Sequence, residues 1–337
     1  MKIAVLHGEV ALEAAPDELD VLIQAEAVSE ALLELGHEPT AVSFSFNLER
    51  IMEALRTIQP NLVFNLVESV AGQGSFIHMA PVILDYLKLP YTGSGTEALL
   101  LTSNKLVAKS LLQASGLPTP AWFPHDGTWD GRGAVANLFI VKSVWEHASI
   151  GLDENSVVYI EDAYELGRQM DRRQDELGGD CFAEAYVEGR EFNLSLLASP
   201  SGLEVLPPAE IRFISYPPGK PKIVDYNAKW GSESFAYHHT PRTFDFGDED
   251  QPLLGRLTAT AKKCWDLFRL RGYARVDFRV DAHGKPWVLE VNANPCLSPD
   301  SGFVASAQRA SLSFGQVIER IIQDSIVLSE SSADEQF

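Results

Sequence analysis

The sequence predicts an α/β protein that begins with a parallel α/β domain and continues with further helices and a strand-rich region. Residues 1 to about 95 alternate short apolar strands with amphipathic helices, a pattern typical of parallel βαβ units. Later in the chain strand signals dominate and end in a hairpin. The length of 337 residues predicts about two to three domains with ample room for a core.

The composition argues against several classes of protein. A net charge of −20 disfavours general nucleic-acid binding, which needs a basic surface, although a locally basic pocket could still take a small anion. No run of about 18 apolar residues occurs, so we expect no membrane partner. Cys181, Cys264 and Cys296 are widely spaced and odd in number, which predicts neither a disulfide framework nor a zinc site. Without a recognisable signal peptide, the expected location is the reducing cytoplasm.

The first predicted domain covers residues 1–95. Gly36 closes its first helix, and a glycine-rich turn over 89–95 follows its last. The apolar patterns predict strands at 3–6 and 62–66 and helices at 21–35, 48–58 and 79–87.

The second predicted domain covers residues 96–187. Its first helix, at 96–117, ends at Gly116 before two prolines. Strands are predicted at 138–144, 156–160 and 181–187, with a helix at 163–177.

The third predicted domain covers residues 188–328. It is strand-rich from residue 190 and contains a polar loop at 231–247. Helices are predicted at 253–270 and 314–328, and the polar tail at 329–337 is expected to be disordered.

Two segments of the third domain, 274–280 and 287–295, alternate apolar and polar residues as strands do. The sequence Asp-Ala-His-Gly at 281–284 between them predicts a hairpin loop, with the glycine in the left-handed conformation.

Because side chains alternate along a strand, Arg275 and Asp277 share one face of the first strand, and Glu290 and Asn292 share one face of the second. If these faces coincide, three oxygen side chains and a guanidinium converge. Carboxylates with an amide suit a hard cation such as Mg²⁺ that also binds phosphates, and the arginine suits a phosphate or oxyanion. The alternative is a surface hairpin with a solvated charged face.

Eight segments between residues 89 and 292 resemble the ATP-grasp superfamily and specifically the D-alanine–D-alanine ligases, and the resemblance extends over about residues 60–325. Each segment alone is a weak match, but all eight occur in the same order as in these ligases, which makes the resemblance strong. The segments are 89–95 (LPYTGSG), 104–105 (NK), 116–120 (GLPTP), 139–142 (FIVK), 184–192 (EAYVEGREF), 225–229 (DYNAK), 274–277 (ARVD) and 289–292 (LEVN).

The resemblance implies an α+β ATP-grasp fold in which two domains sandwich ATP between their sheets, and formation of a peptide-like bond as ATP becomes ADP. It implies that Asp277, Glu290 and Asn292 bind two Mg²⁺ ions, with Mn²⁺ as a substitute. It also implies that Lys105 and Lys142 bind phosphate oxygens.

Further residues acquire roles from the same resemblance. The segment from Glu184 to Val187 is the hinge that pairs with adenine, and Glu191 accepts from the ribose hydroxyls. Lys229 binds phosphates beside the loop at 231–247, whose composition fits a lid over a reactive intermediate.

The remaining implied roles concern the acyl transfer. Arg275 stabilises the oxyanion of the tetrahedral intermediate together with a backbone N–H near Cys296. Ser301 binds the carboxylate of the second substrate. Cys296 stands where the ligases have glycine, and we interpret it as a small residue lining the pocket rather than a reactive thiol.

The first-substrate side departs from the family pattern. His7 and Gly8 replace a pair of glycines, and Glu18 and Asp20 are the nearest acids at the start of the following helix. In the phosphate loop at 143–151, Ala148 takes the place of a serine, and Trp230 takes the place of its tyrosine partner. These changes predict a less polar first-substrate pocket and poor use of D-alanine alone.

The leading hypothesis is an ATP-dependent carboxylate–amine ligase acting on small amino-acid substrates, and a homodimer is compatible with it. One alternative is an ATP-grasp ligase that joins other amino acids or an amine. A non-catalytic ATP-binding regulatory protein would be expected to have lost a metal ligand or Arg275. A kinase on the same scaffold would release no free phosphate.

Overall fold

Three β-sheets organise the chain, and the packing of helices between them positions the candidate site. The computed structural model describes residues 1–11, 14–125, 138–146, 149–177, 179–199 and 201–334. No helix within these residues is long and apolar enough to cross a membrane.

The N-terminal sheet is parallel, with β1 between β2 and β3, as the alternating pattern predicts. The strand β2 escaped prediction because it lies at the sheet edge, where Glu38 and Pro39 dilute its apolar pattern. The elements are β1 (Lys2–Gly8), α1 (Pro16–Glu34), β2 (Glu38–Phe44), α2 (Leu48–Ile58), β3 (Leu62–Leu66) and α3 (Met79–Leu87).

The central sheet is antiparallel, in the order β4-β7-β5-β6, and packs against α6. The helix predicted over 96–117 is two helices. Asn104 separates them because its side chain caps the second one, accepting a hydrogen bond of 3.0 Å from the Val107 N–H. The elements are α4 (Thr96–Ser103), α5 (Lys105–Ala114), β4 (Trp122–Pro124), β5 (Leu138–Ser143), β6 (Val157–Tyr159), α6 (Ala163–Arg173) and β7 (Cys181–Ala185).

The C-terminal sheet has the order β11-β10-β8-β12-β13, with β9 paired to β8. The predicted polar loop at 231–247 contains the short helix α8 and the edge strand β11. The elements are β8 (Arg190–Leu197), β9 (Glu204–Val205), β10 (Ala209–Ile211), α7 (Tyr226–Trp230), α8 (Phe235–His239), β11 (Arg242–Thr243), α9 (Gln251–Leu267), β12 (Tyr273–Val280), β13 (Pro286–Asn292), α10 (Gly302–Arg309) and α11 (Phe314–Asp334).

The two faces of the C-terminal sheet belong to different cores. Val276 and Phe278 pack with α4, α5 and α9, so two helices from the predicted second domain cover this sheet. Tyr273, on the other face of β12, packs with α10, α11 and the N-terminal domain. Because side chains alternate along β12, the polar side chains of Arg275 and Asp277 share the face of Tyr273. The site therefore borders the N-terminal domain.

The C-terminal helix is longer than predicted. Helix α11 runs to Asp334, so residues 329–334, for which the sequence predicts disorder, are helical. The last three residues of the predicted tail, 335–337, lie outside the described residues. The domain boundaries after residues 95 and 187 remain predictions.

Candidate active site

The hairpin of β12 and β13 places its four polar side chains on one face, which confirms the convergence predicted from the alternating pattern. The strands pair antiparallel, with Arg275 opposite Asn292 and Asp277 opposite Glu290. A register shift between Asp277 and Phe278 follows these pairs without disturbing them.

A buried ion pair forms the centre of this face. Arg275 donates from Nε and from a terminal nitrogen to the two carboxylate oxygens of Asp277, each at 2.7 Å, and lies 4.0 Å from Glu290. Burial and the neighbouring Glu290 raise the pKa of Asp277, whereas Arg275 opposes that rise. The guanidinium therefore stabilises two carboxylates that would otherwise repel each other.

Asn193, which the sequence did not single out, completes the centre. It lies opposite Asp277 on β8 and donates a hydrogen bond of 2.8 Å to its Oδ1 atom. The only sequence signal for it was the polar alternation of β8, and sequence alone does not reveal that β8 neighbours β12.

The oxygen atoms of Asp277, Glu290 and Asn292 fit a hard divalent cation, since two facing carboxylates attract one and carboxylate and amide oxygens are its preferred ligands. Within the described residues, no group of three or more His, Cys, Asp or Glu side chains could bind a metal ion. Besides the two carboxylates, a cation at this position would therefore need the amide oxygen of Asn292 and oxygen atoms of a bound molecule such as a phosphate.

Three lysines surround this centre. Lys105 is the first residue of α5, is 8% exposed, and donates to the Glu146 carbonyl at 2.6 Å. Burial lowers the pKa of Lys105, and Lys142 and Lys229 lower it further. Burial and Arg275 likewise lower the pKa of Lys229 on α7. Mutually repelling cations in one cleft suit a polyanion such as a triphosphate.

Glu184 on β7 bridges two lysines. Its Oε1 accepts from Lys142 at 2.7 Å, and its Oε2 pairs with Lys109. Burial alone would raise the pKa of Glu184, but the two ammonium groups outweigh it and lower the pKa. Lys109 was missed by the sequence reasoning, although it lies four residues after Lys105 on α5 and so one turn along the same face.

Glu191 on β8 and Val187 belong to the other end of the cleft. Val187 is half-buried in the connection between β7 and β8. Glu191 forms an ion pair of 2.9 Å with Arg279 of β12, a second cation that the sequence reasoning missed. Gly189 in the same connection has φ +148°, and a Cβ there would collide with the Val280 carbonyl oxygen, so only glycine fits this close approach.

Ser301 caps α10 and accepts a hydrogen bond of 3.3 Å from the Val304 N–H. The guanidinium of Arg242 lies over the start of this helix, with its Nε 3.8 Å from the position of a Cβ on Gly302. Burial and the neighbouring Arg275 lower the pKa of Arg242. Two cations, Arg242 and Arg275, therefore lie at this end of the cleft together with the Asp300 carboxylate, and the anion-binding role of Ser301 stays a prediction.

The start of α1 is lined by carboxylates. Asp20 accepts from the Ser298 hydroxyl at 2.8 Å and from the Cys296 thiol at 3.0 Å. Glu68 accepts from Gln24 at 2.8 Å, and burial, followed by Asp20, raises its pKa to about 7. Asp20 and Glu68 therefore make this wall acidic. The expectation of a first-substrate pocket less polar than that of the D-alanine ligases rests on Ala148 and Trp230 and stays a prediction.

Ala148 lies outside the described residues, and Trp230 ends α7. Burial raises the pKa of the Cys296 thiol well above its ordinary value, and Glu68 and Asp20 add to the effect. This agrees with a pocket-lining rather than a nucleophilic cysteine.

The predicted lid follows α7 and is mostly exposed. Within its α8 the Phe235 and His239 rings stack at 3.8 Å between centroids, and the Phe235 ring also lies 5.5 Å from that of Tyr216. Asp245 near its end pairs with Arg309 of α10 at 2.7 Å. Ser149 of the phosphate loop donates to the Val224 carbonyl at 2.7 Å, so that loop contacts the segment before α7.

We expect residues 231–247 to exchange amide hydrogens rapidly in the free protein and more slowly with nucleotide and substrates, because a water-sensitive intermediate needs a cover. Hydrogen exchange read by mass spectrometry measures this, with the neighbouring helix α9 as an internal control. Equal exchange of 231–247 with and without saturating ligands would exclude the role of a lid.

Comparison with known proteins agrees with this geometry. The model of the family described as D-ala D-ala ligase C-terminus matches residues 111–323. A D-alanine–D-alanine ligase of Gloeobacter violaceus is 31% identical over 336 residues, covering 97% of this chain and 100% of that protein. The uncharacterised protein y4sG of Sinorhizobium fredii is 30% identical over 306 residues, covering 88% of this chain and 86% of its own.

Solved structures of D-alanine–D-alanine ligases share the fold. The crystal structure of a D-alanine–D-alanine ligase from Bacillus anthracis complexed with ATP superimposes with a TM-score of 0.75, at 20% identity, and covers 98% of this chain and 99% of that one. The architecture is the α+β ATP-grasp fold. The chain therefore belongs to the D-alanine–D-alanine ligase family.

Proposed function

We propose that this protein is an ATP-dependent ligase that joins the carboxylate of one amino acid to the amine of another through an acyl phosphate. The observation that carries the proposal is the pairing of Asp277 with Glu290 beside Arg275, in a cleft that also contains buried lysines. Membership of the D-alanine–D-alanine ligase family supports it.

The nucleotide is assigned to the cleft between the central and C-terminal sheets. Lys105, Lys142 and Lys229 bind its phosphates, since their charges are the strongest attraction for a polyanion here. Glu184, Val187 and Glu191 bind its adenosine part. Asp277, Glu290 and Asn292 bind two Mg²⁺ ions, which when present neutralise charge on the transferring phosphoryl group.

The chemistry proceeds in two displacements. A carboxylate oxygen of the first substrate attacks the γ-phosphorus and ADP leaves, which converts a poor electrophile into an acyl phosphate. The amine of the second substrate then attacks the acyl carbon, loses a proton, and displaces inorganic phosphate. Arg275, with a backbone N–H near Cys296, stabilises the oxyanion, and the lid excludes water from the acyl phosphate.

The charges at the two ends of the cleft indicate the substrates. Asp20 and Glu68 favour a first substrate with an ammonium group, whereas Ser301 and Arg242 favour a carboxylate on the second. Both preferences suit amino acids. The relatives are named for D-alanine, and an enzyme joining other amino acids or an amine is the second candidate because the first-substrate residues differ from the family pattern.

A regulatory protein without catalytic activity is less well supported, because Arg275, Asp277, Glu290 and Asn292 are all present and the first three lie together.

A cytoplasmic location is proposed from the three free cysteines. Pairing of two copies is proposed through the exposed apolar side chains of α1, Leu19, Leu22 and Ile23, and sedimentation measures it.

A phosphate-release screen of amino acids, singly and in pairs with Mg-ATP, tests the proposed function. We expect release that requires added amino acids, with mixed pairs faster than D-alanine with itself, because Ala148 and Trp230 replace a hydroxyl pair. D-alanine with itself as the clearly best pair would reject the specificity prediction but support the ligase. No release above the ATP-only control with any pair would reject the ligase.

A further inference from the structure

Arg279 is a buried cation that the proposed chemistry does not use. It lies on β12 two residues after Asp277, directly opposite Glu191 on β8, and is 4% exposed. Because side chains alternate along β12, Arg279 shares the site face with Asp277. An arginine on this face, beside the acid assigned to the ribose, needs an explanation.

The guanidinium of Arg279 contacts three separate parts of the nucleotide cleft. It pairs with Glu191 Oε2 at 2.9 Å, and it donates to the carbonyl of Gly189 at 3.1 Å and to that of Lys222. Its central carbon also lies 5.7 Å from the ring centroid of Tyr186 and 5.3 Å from that of Phe213. These contacts join the hinge, β8 and the segment before α7 to one side chain.

The segment around Lys222 is tied to the hinge a second time. The Tyr186 hydroxyl donates to the Lys222 carbonyl and accepts from its N–H, each at 3.2 Å. A few residues later Asp225 caps α7, the helix that carries Lys229. Arg279 therefore connects the acid assigned to the ribose with the segment that leads to a lysine assigned to the phosphates.

The ion pair also determines how Glu191 can bind a ligand. Burial raises the pKa of Glu191, and Arg279 is the main influence that opposes the rise. The ion pair places the guanidinium of Arg279 beside Oε2 of Glu191. A carboxylate fixed at one oxygen in this way can accept from a ligand hydroxyl group in a defined direction.

We propose that Arg279 is a positioning residue that determines the selectivity of the nucleotide pocket for a ribose over a deoxyribose. It orients Glu191 toward the sugar hydroxyls and holds the hinge and the Lys222 segment around the nucleoside. This rests on the nucleotide site assigned under the proposed function. Neither residue reacts, so the effect concerns binding and not the chemical steps.

Calorimetric titration of the full-length protein with ADP, 2′-deoxy-ADP and 3′-deoxy-ADP in Mg²⁺ tests the proposal without an amino-acid substrate. For the unmodified protein we expect ADP to bind about tenfold more tightly than at least one deoxy analogue, as one charge-assisted hydrogen bond allows. Arg279→Met should weaken ADP binding by at least about tenfold and bring that ratio close to one. Arg279→Lys should restore part of both.

Arg190→Met is the matched control. Like Arg279, Arg190 forms an ion pair and lies over an aromatic ring, but its partners, Glu210, Asp250 and Phe192, have no assigned role in the site. We expect this variant to retain the selectivity for ADP. An equal loss of affinity for ADP and both deoxy analogues in Arg279→Met, with the ratio preserved, would indicate a merely structural role and overturn the proposal.

Glu191→Gln covers the case in which Arg279→Met does not fold. It should reduce the ratio of ADP affinity to deoxy-ADP affinity. An unchanged ratio would show that Glu191 does not determine the selectivity, and would overturn the proposal. Normal ADP binding with selectivity unaffected by these changes would reject the role of Arg279 and leave the ligase intact. Failure of the unmodified protein to bind ADP would reject both.

Discussion

Replacing Glu290 with glutamine should lower turnover by about a thousandfold while leaving the fold intact. Glu290 faces Asp277 across the hairpin, and the two carboxylates are the charged ligands assigned to Mg²⁺. Glutamine preserves the shape of the side chain but removes half of the negative charge that attracts the cation. Phosphate release measures turnover, and the Mg²⁺ concentration for half-maximal binding of ADP should rise.

Glu26→Gln provides the matched control, because Glu26 is an exposed acid on α1. It should leave turnover and the Mg²⁺ dependence unchanged, and thermal unfolding of both variants should match that of the parent. Undiminished phosphate release by Glu290→Gln would remove Glu290 from the cation site.

Replacing Arg275 with methionine should reduce both stability and turnover. Arg275 binds both oxygens of Asp277, and the two side chains are only 18% and 10% exposed. Loss of one partner leaves a buried carboxylate uncompensated, which costs about 3–5 kcal/mol in the free energy of unfolding. Loss of the oxyanion donor should lower turnover by about a hundredfold to a thousandfold. Urea unfolding and phosphate release measure the two effects.

Two further variants separate these effects. In Arg275→Met with Asp277→Asn, the buried carboxylate of Asp277 is removed together with its partner, so part of the lost stability should return while turnover stays low. Arg320→Met removes a more exposed ion pair with Glu204 and should cost no more than about 1 kcal/mol. Full stability of Arg275→Met would contradict the central role assigned to the Arg275–Asp277 pair.

The sequence contained enough information for the hairpin because its pattern is local. Alternation alone put Arg275 with Asp277 and Glu290 with Asn292, and the antiparallel register then brought the pairs together. The helices α2 and α3 and the strand β3 were equally well defined, since each is a short amphipathic or fully apolar run between turn residues.

Contacts that depend on which strands are neighbours in a sheet could not be predicted from the sequence in the same way. Asn193 meets Asp277, and Arg279 meets Glu191, because β8 lies beside β12, although more than 80 residues separate the members of each pair. The acids Asp20 and Glu68 likewise meet Cys296 and Arg275 only through packing of the N-terminal domain on the C-terminal one. Local periodicity has no information about such contacts.

Some predicted limits of helices and loops were wrong for a related reason. The apolar pattern continues through Asn104, but its side chain accepts a hydrogen bond from the Val107 N–H at the start of α5, and α4 ends before it. The polar loop at 231–247 contains α8 and β11, which are too short to show periodicity.

Transfer of ¹⁸O from a labelled carboxylate to inorganic phosphate tests the ligase mechanism most directly. The best amino-acid pair from the screen would be incubated with Mg-ATP, with ¹⁸O in both carboxylate oxygens of the first substrate. We predict one dipeptide and one ADP for each phosphate released, and one ¹⁸O atom in every phosphate, because the acyl phosphate breaks at its carbon–oxygen bond. Unlabelled phosphate, or a phosphorylated product without phosphate release, would contradict the proposed ligase.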